Sequence, residues 1–261
     1  MFFARLFVPL HAIMNKPTKN TFNMKKIFFL IIVLALGTNN AKAFKYESEE
    51  GLTWMGLFGM NISALQNHPF STKAGAMMGA RADYMLPHAH GAYLTAGLDW
   101  TMKGGKLSDI VSVDNVLMDA TSKYNLHYIE IPIRAGFRYN ITEGIGVYGE
   151  VGPYFAIGVG GRHKTNIDGD GPNVRTAEDA DTYKAFVDDV NHENFQRWDA
   201  GLGFRVGVEY NEHYNLLFGC DWGFADMYRD NYRDHYFTTH NNLRLNKVHN
   251  FNFSITVGYR F

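Results

Sequence analysis

The sequence predicts an all-β protein, a closed antiparallel transmembrane β-barrel of eight strands in up-and-down order. Three observations predict it. Successive segments alternate apolar with polar or small residues, and a period of two puts one kind of side chain on each face of a strand. The connections between these segments alternate short and long, as they do in barrels that cross an outer membrane. An export signal precedes the first segment.

The export signal reads as follows. Met24-Lys25-Lys26 opens a short positive region, Ile27 to Leu36 is an unbroken apolar run, and Ala41-Lys42-Ala43 supplies a small-x-small cleavage pattern. That is the anatomy of a secretory signal peptide. The apolar run is about half of the ~20 residues that a membrane-crossing helix needs. Residues 24–43 are therefore expected to be cleaved, residues 1–23 form an extension ahead of them, and Met24 is the expected true start. Residues 44–261 are expected to form one barrel domain. Phe44, not a cysteine, stands directly after the cleavage site, which argues against a lipid-anchored lipoprotein.

Composition narrows the class further. The chain of 261 residues carries a formal net charge of -1 and one cysteine. A balanced charge does not suit nucleic-acid binding, which calls for a basic surface. Lone Cys220 cannot close an internal disulfide. Glycine (26 residues) and aromatic residues (15%) are abundant, a cue for barrels.

The last segment shows the pattern most clearly. Phe251, Phe253, Ile255, Val257, Tyr259 and Phe261 are apolar or aromatic, while Asn252, Ser254, Thr256, Gly258 and Arg260 between them are polar or small. Seven earlier segments repeat it. The first places Leu52, Trp54, Phe58, Met60 and Ile62 on one face, and the second Ala74, Ala76, Met78, Ala80, Ala82 and Tyr84 opposite Arg81 and Asp83. The third sets Leu94, Ala96, Leu98, Trp100 and Met102 against Thr95, Gly97 and Asp99. The fourth sets Ile129, Ile131, Ile133, Ala135, Phe137 and Tyr139 against Glu130, Arg134 and Arg138. The fifth alternates Val147, Val151, Phe155, Ile157 and Val159 with Tyr148, Glu150, Tyr154 and glycines. In the sixth, Ala200, Leu202, Phe204, Val206, Val208 and Tyr210 oppose Asp199, Arg205 and Glu209; in the seventh, Leu216, Phe218, Cys220, Trp222 and Phe224 oppose Gly219, Asp221 and Gly223.

Short connections are expected at residues 87–90, 142–144 and 211–213, an intermediate one at 64–72, and long loops at 104–123, 162–195 and 227–247. The greasy face is expected to meet lipid. Tyr84, Tyr139, Tyr210 and Tyr259 lie on it beside a short turn or the C-terminus, as in an interfacial aromatic girdle. The charged face would then fill the lumen, because eight strands leave an interior just wide enough for side chains. Both signs occur there, and buried charges are tolerated when paired. Closure is required because lipid offers no partner to a free strand edge.

The chain ends in Val257-Gly258-Tyr259-Arg260-Phe261. This resembles the C-terminal signal read by the outer-membrane barrel-assembly machinery. Tyr128-Ile129-Glu130-Ile131-Pro132-Ile133 with Gly136-Phe137, and Trp198-Asp199-Ala200-Gly201-Leu202-Gly203-Phe204 through Glu209-Tyr210, resemble the fourth and sixth strands of the porin-family, or PorT-like, outer-membrane β-barrel domain. The resemblance covers roughly residues 50–261. It implies a Gram-negative outer-membrane address, with lipids, lipopolysaccharide and, through the strand ending at Phe261, the assembly machinery as partners.

No catalytic, cofactor-binding or metal-ligating set is predicted. His127 with Glu130, and His249 with Ser254, are spaced three and five apart, which puts each pair on opposite strand faces. Asn166 to Gly171 resembles the start of a calcium loop, but Ala177 stands at its twelfth position and Glu178 comes one late; an ordinary turn is the expectation. The glycines at 158, 160, 161, 201 and 203 sit inside alternating strands and are expected to make room in the lumen. The acidic loop 162–195 and the loop 227–247, which mixes Tyr228, Tyr232, Tyr236 and Phe237 with Arg229 and Arg233, are expected to be solvated cell-surface segments, with a contact surface for an extracellular partner as the alternative. The functional expectation is a structural or surface-exposed barrel with a filled lumen. A narrow channel for ions or small solutes is the alternative, and a lipid-modifying enzyme ranks behind both.

Overall fold

The computed structural model describes residues 51–66, 71–113, 116–168, 181–186, 195–239 and 246–261, all within the compact unit Tyr46–Phe261. The expected signal peptide lies outside the described residues. In chain order the elements are β1 (Gly51–Gln66), β2 (Lys73–Met85), β3 (Ala92–Val113), β4 (Val116–Thr142), β5 (Ile145–Asp168), β6 (Asp181–Lys184), β7 (Trp198–Tyr210), β8 (Tyr214–Gly223), α1 (Asp230–Thr239) and β9 (His249–Arg260).

Eight of these strands form a ring, each paired antiparallel with its neighbours. The order runs β1 to β5, then β7, β8 and β9, and β9 returns to β1 through pairs from Met55↔Arg260 to Gln66↔His249. Every strand face chosen from the alternation is borne out. Trp54 is 56% exposed and Val257 58%, whereas Arg205, between Phe204 and Val206, is 0% exposed. All of the charged residues assigned to the polar face point into the ring and are buried. The ordinary protein order is thus inverted, with apolar side chains outside and ionised ones at the centre, as a lipid-embedded barrel requires.

The aromatic girdle is present at the short-turn end. Tyr84, Tyr210 and Tyr259 are exposed on the outer face and Tyr139 is half-buried there. Tyr214 joins them with an edge contact to Tyr259 at 5.6 Å. The β7–β8 turn is tight, and Asn211 and Glu212 both take the left-handed conformation (φ 49° and 62°), which asparagine tolerates well and glutamate less so. At the opposite end of the wall Trp198 and Phe224 are exposed outward.

Three loop expectations are corrected. Residues 104–123 are mostly strand: β3 continues to Val113, β4 resumes at Val116, and the two stay paired from Gly104↔Asn125 to Val113↔Val116. Segment 162–195 contains the top of β5 and a ninth strand, β6, which pairs only with β5 from Arg162↔Lys184 to Thr165↔Asp181. Segment 227–247 contains α1. Beyond the lipid both strand faces meet water or loops, so the apolar–polar contrast that marks a crossing strand disappears although the hydrogen-bonded ladder continues. The wall is therefore uneven, with β4 at 27 residues and β8 at 10.

Candidate functional site

The lumen is the chemically dense part of the molecule. Among the described residues, seven basic side chains (Lys73, Arg81, Lys103, Arg134, Arg138, Arg205, Arg260) and seven acidic ones (Asp83, Asp99, Glu130, Glu150, Asp199, Glu209, Asp221) are buried. The equality matters, because an uncompensated buried charge costs several kcal/mol.

The ion pairs fall into tiers. Nearest the short turns, Arg260 holds Glu209 (2.5 Å) and Asp83 (3.0 Å), while Arg138 approaches the same two carboxylates at 3.7 and 3.5 Å. In the middle, Arg81 contacts Asp99 (3.1 Å) and Glu150 (3.4 Å). Arg205 bridges Asp99 (3.8 Å) to Asp221 (3.6 Å), and Arg134 contacts Asp221 at 3.3 Å. Toward the long loops, Lys103 contacts Glu130 (2.6 Å) and Asp199 (3.7 Å) and lies 4.6 Å from the Tyr154 ring centroid.

Neutral groups tie in the remaining strands. The Tyr93 hydroxyl donates to Glu150 at 2.8 Å and Asn252 Nδ2 donates to Asp221 at 3.4 Å. Asn61 Nδ2 donates to the Asn252 side-chain oxygen at 2.7 Å. The middle tier is thereby one connected network with a member on every ring strand, running from Asn61 on β1 through Asn252, Asp221, Arg205, Asp99 and Arg81 to Glu150, with Arg134 as a branch. Glycine makes the space: a Cβ on Gly203 would collide with Asp221 and the Arg134 guanidinium.

Above this ionic belt, an apolar cap closes the long-loop end. Phe186, Phe195, Met227, Tyr228 and Val248 come from loop segments and pack on Leu65, Tyr124, Leu126, Tyr128 and Tyr154 of the wall. Phe195 stacks on Tyr228 at 5.7 Å, and Tyr124 meets Phe195 edge-on at 5.4 Å. Backbone hydrogen bonds hold the segments together: the Gln196 amide donates to the Met227 carbonyl (2.7 Å) and the Met227 amide to the Val248 carbonyl (2.8 Å). α1 leaves this cap with Arg233 paired to Asp226 and Tyr232 against Tyr228. The alternative of a contact surface does not extend to Tyr228, which is 2% exposed, and Tyr232 is partly buried against the same cluster.

The weighed catalytic pairs are separated. His127 faces outward against Trp100, whereas Glu130 points into the lumen. His249 bonds the Ala225 carbonyl through Nδ1 at 3.0 Å, whereas Ser254 is buried inside. Among the glycines, Gly158 lies under the Phe186 ring and Gly201 beside Tyr154, while Gly160 has open space beside it. The calcium-like stretch extends past the described residues at 169. Lys103 and Lys73 are lumen charges the alternation missed; Lys103 follows the apparent end of the third segment at Met102.

The inverted faces, the closed ring of strands and the charge-lined lumen agree with one family of known proteins. Residues 40–229 match the family described as outer membrane protein beta-barrel domain. The chain belongs to that family. This outer-membrane barrel resides in the outer membrane of a Gram-negative bacterium. The match is to the broad family; the narrower PorT-like label rests on the strand motifs alone. No curated protein matches the sequence. Similar solved structures include the attachment invasion locus protein Ail of Yersinia pestis (14% identity, TM-score 0.36, 82% of this chain and 100% of that one). Others are Neisserial surface protein A (12%, 0.39, 82% and 100%) and OprG of Pseudomonas aeruginosa (12%, 0.37, 82% and 97%).

Proposed function

We propose that this outer-membrane barrel is a non-catalytic wall protein whose lumen is plugged and whose work is done by the parts projecting beyond the membrane. The observation that carries this reading is the connected ionic network with a member on each ring strand, roofed by the aromatic cap. A conducting pore needs a continuous aqueous path, and paired charges plus close-packed rings leave little room for one in a ring of eight strands. The reading includes export by cleavage after Ala43, supported by the apolar run Ile27 to Leu36 and the Ala41-Lys42-Ala43 pattern, and insertion through β9 and the Phe261 that follows it. An extracellular partner would meet the projecting segments within 162–195 and 227–247.

Planar-bilayer recording tests it. Purified, refolded protein is expected to give no steady conductance at moderate voltage. Stable, ohmic single-channel steps, lost on boiling, would overturn the plugged reading in favour of a narrow channel.

A further inference from the structure

The part of the wall that rises past the lipid-facing band carries an ordered array of cations. On the outer face of the β3–β4–β5–β6 sheet, Lys106 is the cross-strand partner of Lys123, and Lys123 is the partner of Lys164. Three lysines therefore stand in one row on three adjacent strands. Two residues lower on β5, Arg162 is the partner of Lys184. Lys106, Arg162, Lys164 and Lys184 are exposed and Lys123 is half-buried. The alternate residues of the same stretch, Lys103, Tyr124 and Leu126, point into the lumen, so the five cations share the outward face.

Like charges directly opposite one another across a sheet are destabilising. Among the described residues, no carboxylate pairs with any of the five. The contrast with the lumen is sharp, since each arginine of the ionic belt there has a carboxylate beside it. The height of the array is also defined. The next row down is Met102 with His127, and His127 stacks on Trp100 at 5.6 Å. Below that begin Ile129 and Ile157, which face lipid. The cations thus stand at headgroup depth, on the side of the membrane to which the long connections project, and they look sideways along the bilayer.

A ligand for this face must be anionic, multiply charged and held at the membrane surface. We propose that the Lys106–Lys123–Lys164 row, flanked by Arg162 and Lys184, binds the phosphate groups of an outer-leaflet glycolipid. Ammonium groups serve as point charges for phosphate. A fixed row of them suits a headgroup with more than one phosphate. The proposal rests on the barrel reading for its orientation, and it adds a specific lipid contact to it.

Native mass spectrometry of the full folded chain in detergent tests the idea, using phosphorylated lipid A and its dephosphorylated form as probes. The wild type is expected to retain the phosphorylated glycolipid and not the dephosphorylated one. The Lys106→Gln/Lys123→Gln/Lys164→Gln variant is expected to lose roughly a hundredfold in affinity, about fivefold per lysine. Equal retention by variant and wild type, or equal retention of the dephosphorylated lipid, would overturn it. So would competition by inorganic pyrophosphate at the same concentration as the lipid, which would mark a site for soluble anions. A single Lys164→Glu variant provides a second reading if the triple variant does not fold, and it should lose at least about fivefold. The gel mobility of unboiled protein separates the two levels: a retained shift with lost selectivity strikes only the lipid contact, whereas a wild type with no shift strikes the barrel itself.

Discussion

The ionic belt and the aromatic cap fill the same cylinder by opposite means. The belt is built from ring strands alone, and its members occupy alternate positions in a continuous ladder. The cap is built where loop segments fold back over the mouth, and its key members, Phe195, Met227, Tyr228 and Val248, belong to no ring strand. The belt depends on exact pairing of charge, so a small chemical change there leaves an orphaned ion. The cap depends on filled volume, so it responds to size and is indifferent to modest changes of shape.

The harshest way to break this contrast is Arg205→Leu. It would remove the cation that bridges Asp99 and Asp221, leaving Asp99 to Arg81 and Asp221 to Arg134 with one buried negative charge in excess, and is expected to cost ~3–5 kcal/mol, read by denaturant unfolding in lipid vesicles. Phe195→Ala comes next, at ~3 kcal/mol, but its effect should stay local. Proteolysis around residues 195 and 227–239 should accelerate while the unboiled gel mobility of the barrel is kept. A global loss of stability instead would mean that the cap and the belt fold as one unit. Smallest is a matched pair of gentle changes. Tyr93→Phe removes only the hydroxyl that donates to Glu150 and is expected to cost about 2 kcal/mol, the usual range for a hydrogen bond to a charged group. Leu126→Met in the cap conserves volume and should cost under about 1 kcal/mol. Equal losses from the two would erase the distinction between pairing and filling.

The same contrast explains what was legible beforehand. Arg81, Arg134, Arg205 and Asp221 could be placed inside because lipid imposes a strict period of two on a crossing strand, and that period is written in the residues themselves. The strand ladder of 104–123 was not legible, because it rises past the hydrocarbon of the bilayer and nothing there imposes an apolar outer face on alternate residues. Lys103 was lost at that boundary. The cap was not legible for another reason. Phe186, Phe195 and Val248 sit in segments without periodicity, and only the folded chain brings them to one mouth. The lysine row was hidden in the same way, since Lys106, Lys123 and Lys164 become neighbours through register alone.

The seam between β1 and β9 has a consequence for how such a molecule is made. It joins residues from opposite extremes of the folded domain, with the Phe261 amide donating to the Trp54 carbonyl at 2.9 Å. All other strand pairings of the ring link consecutive wall strands, whereas this one must wait for the final residues to arrive. Loop closure over so long a stretch is slow, and until it happens two unsatisfied edges lie open to any passing strand. The hazard of mispairing is therefore concentrated in the last step of biogenesis, and whatever escorts the polypeptide to the membrane has most to guard at that moment.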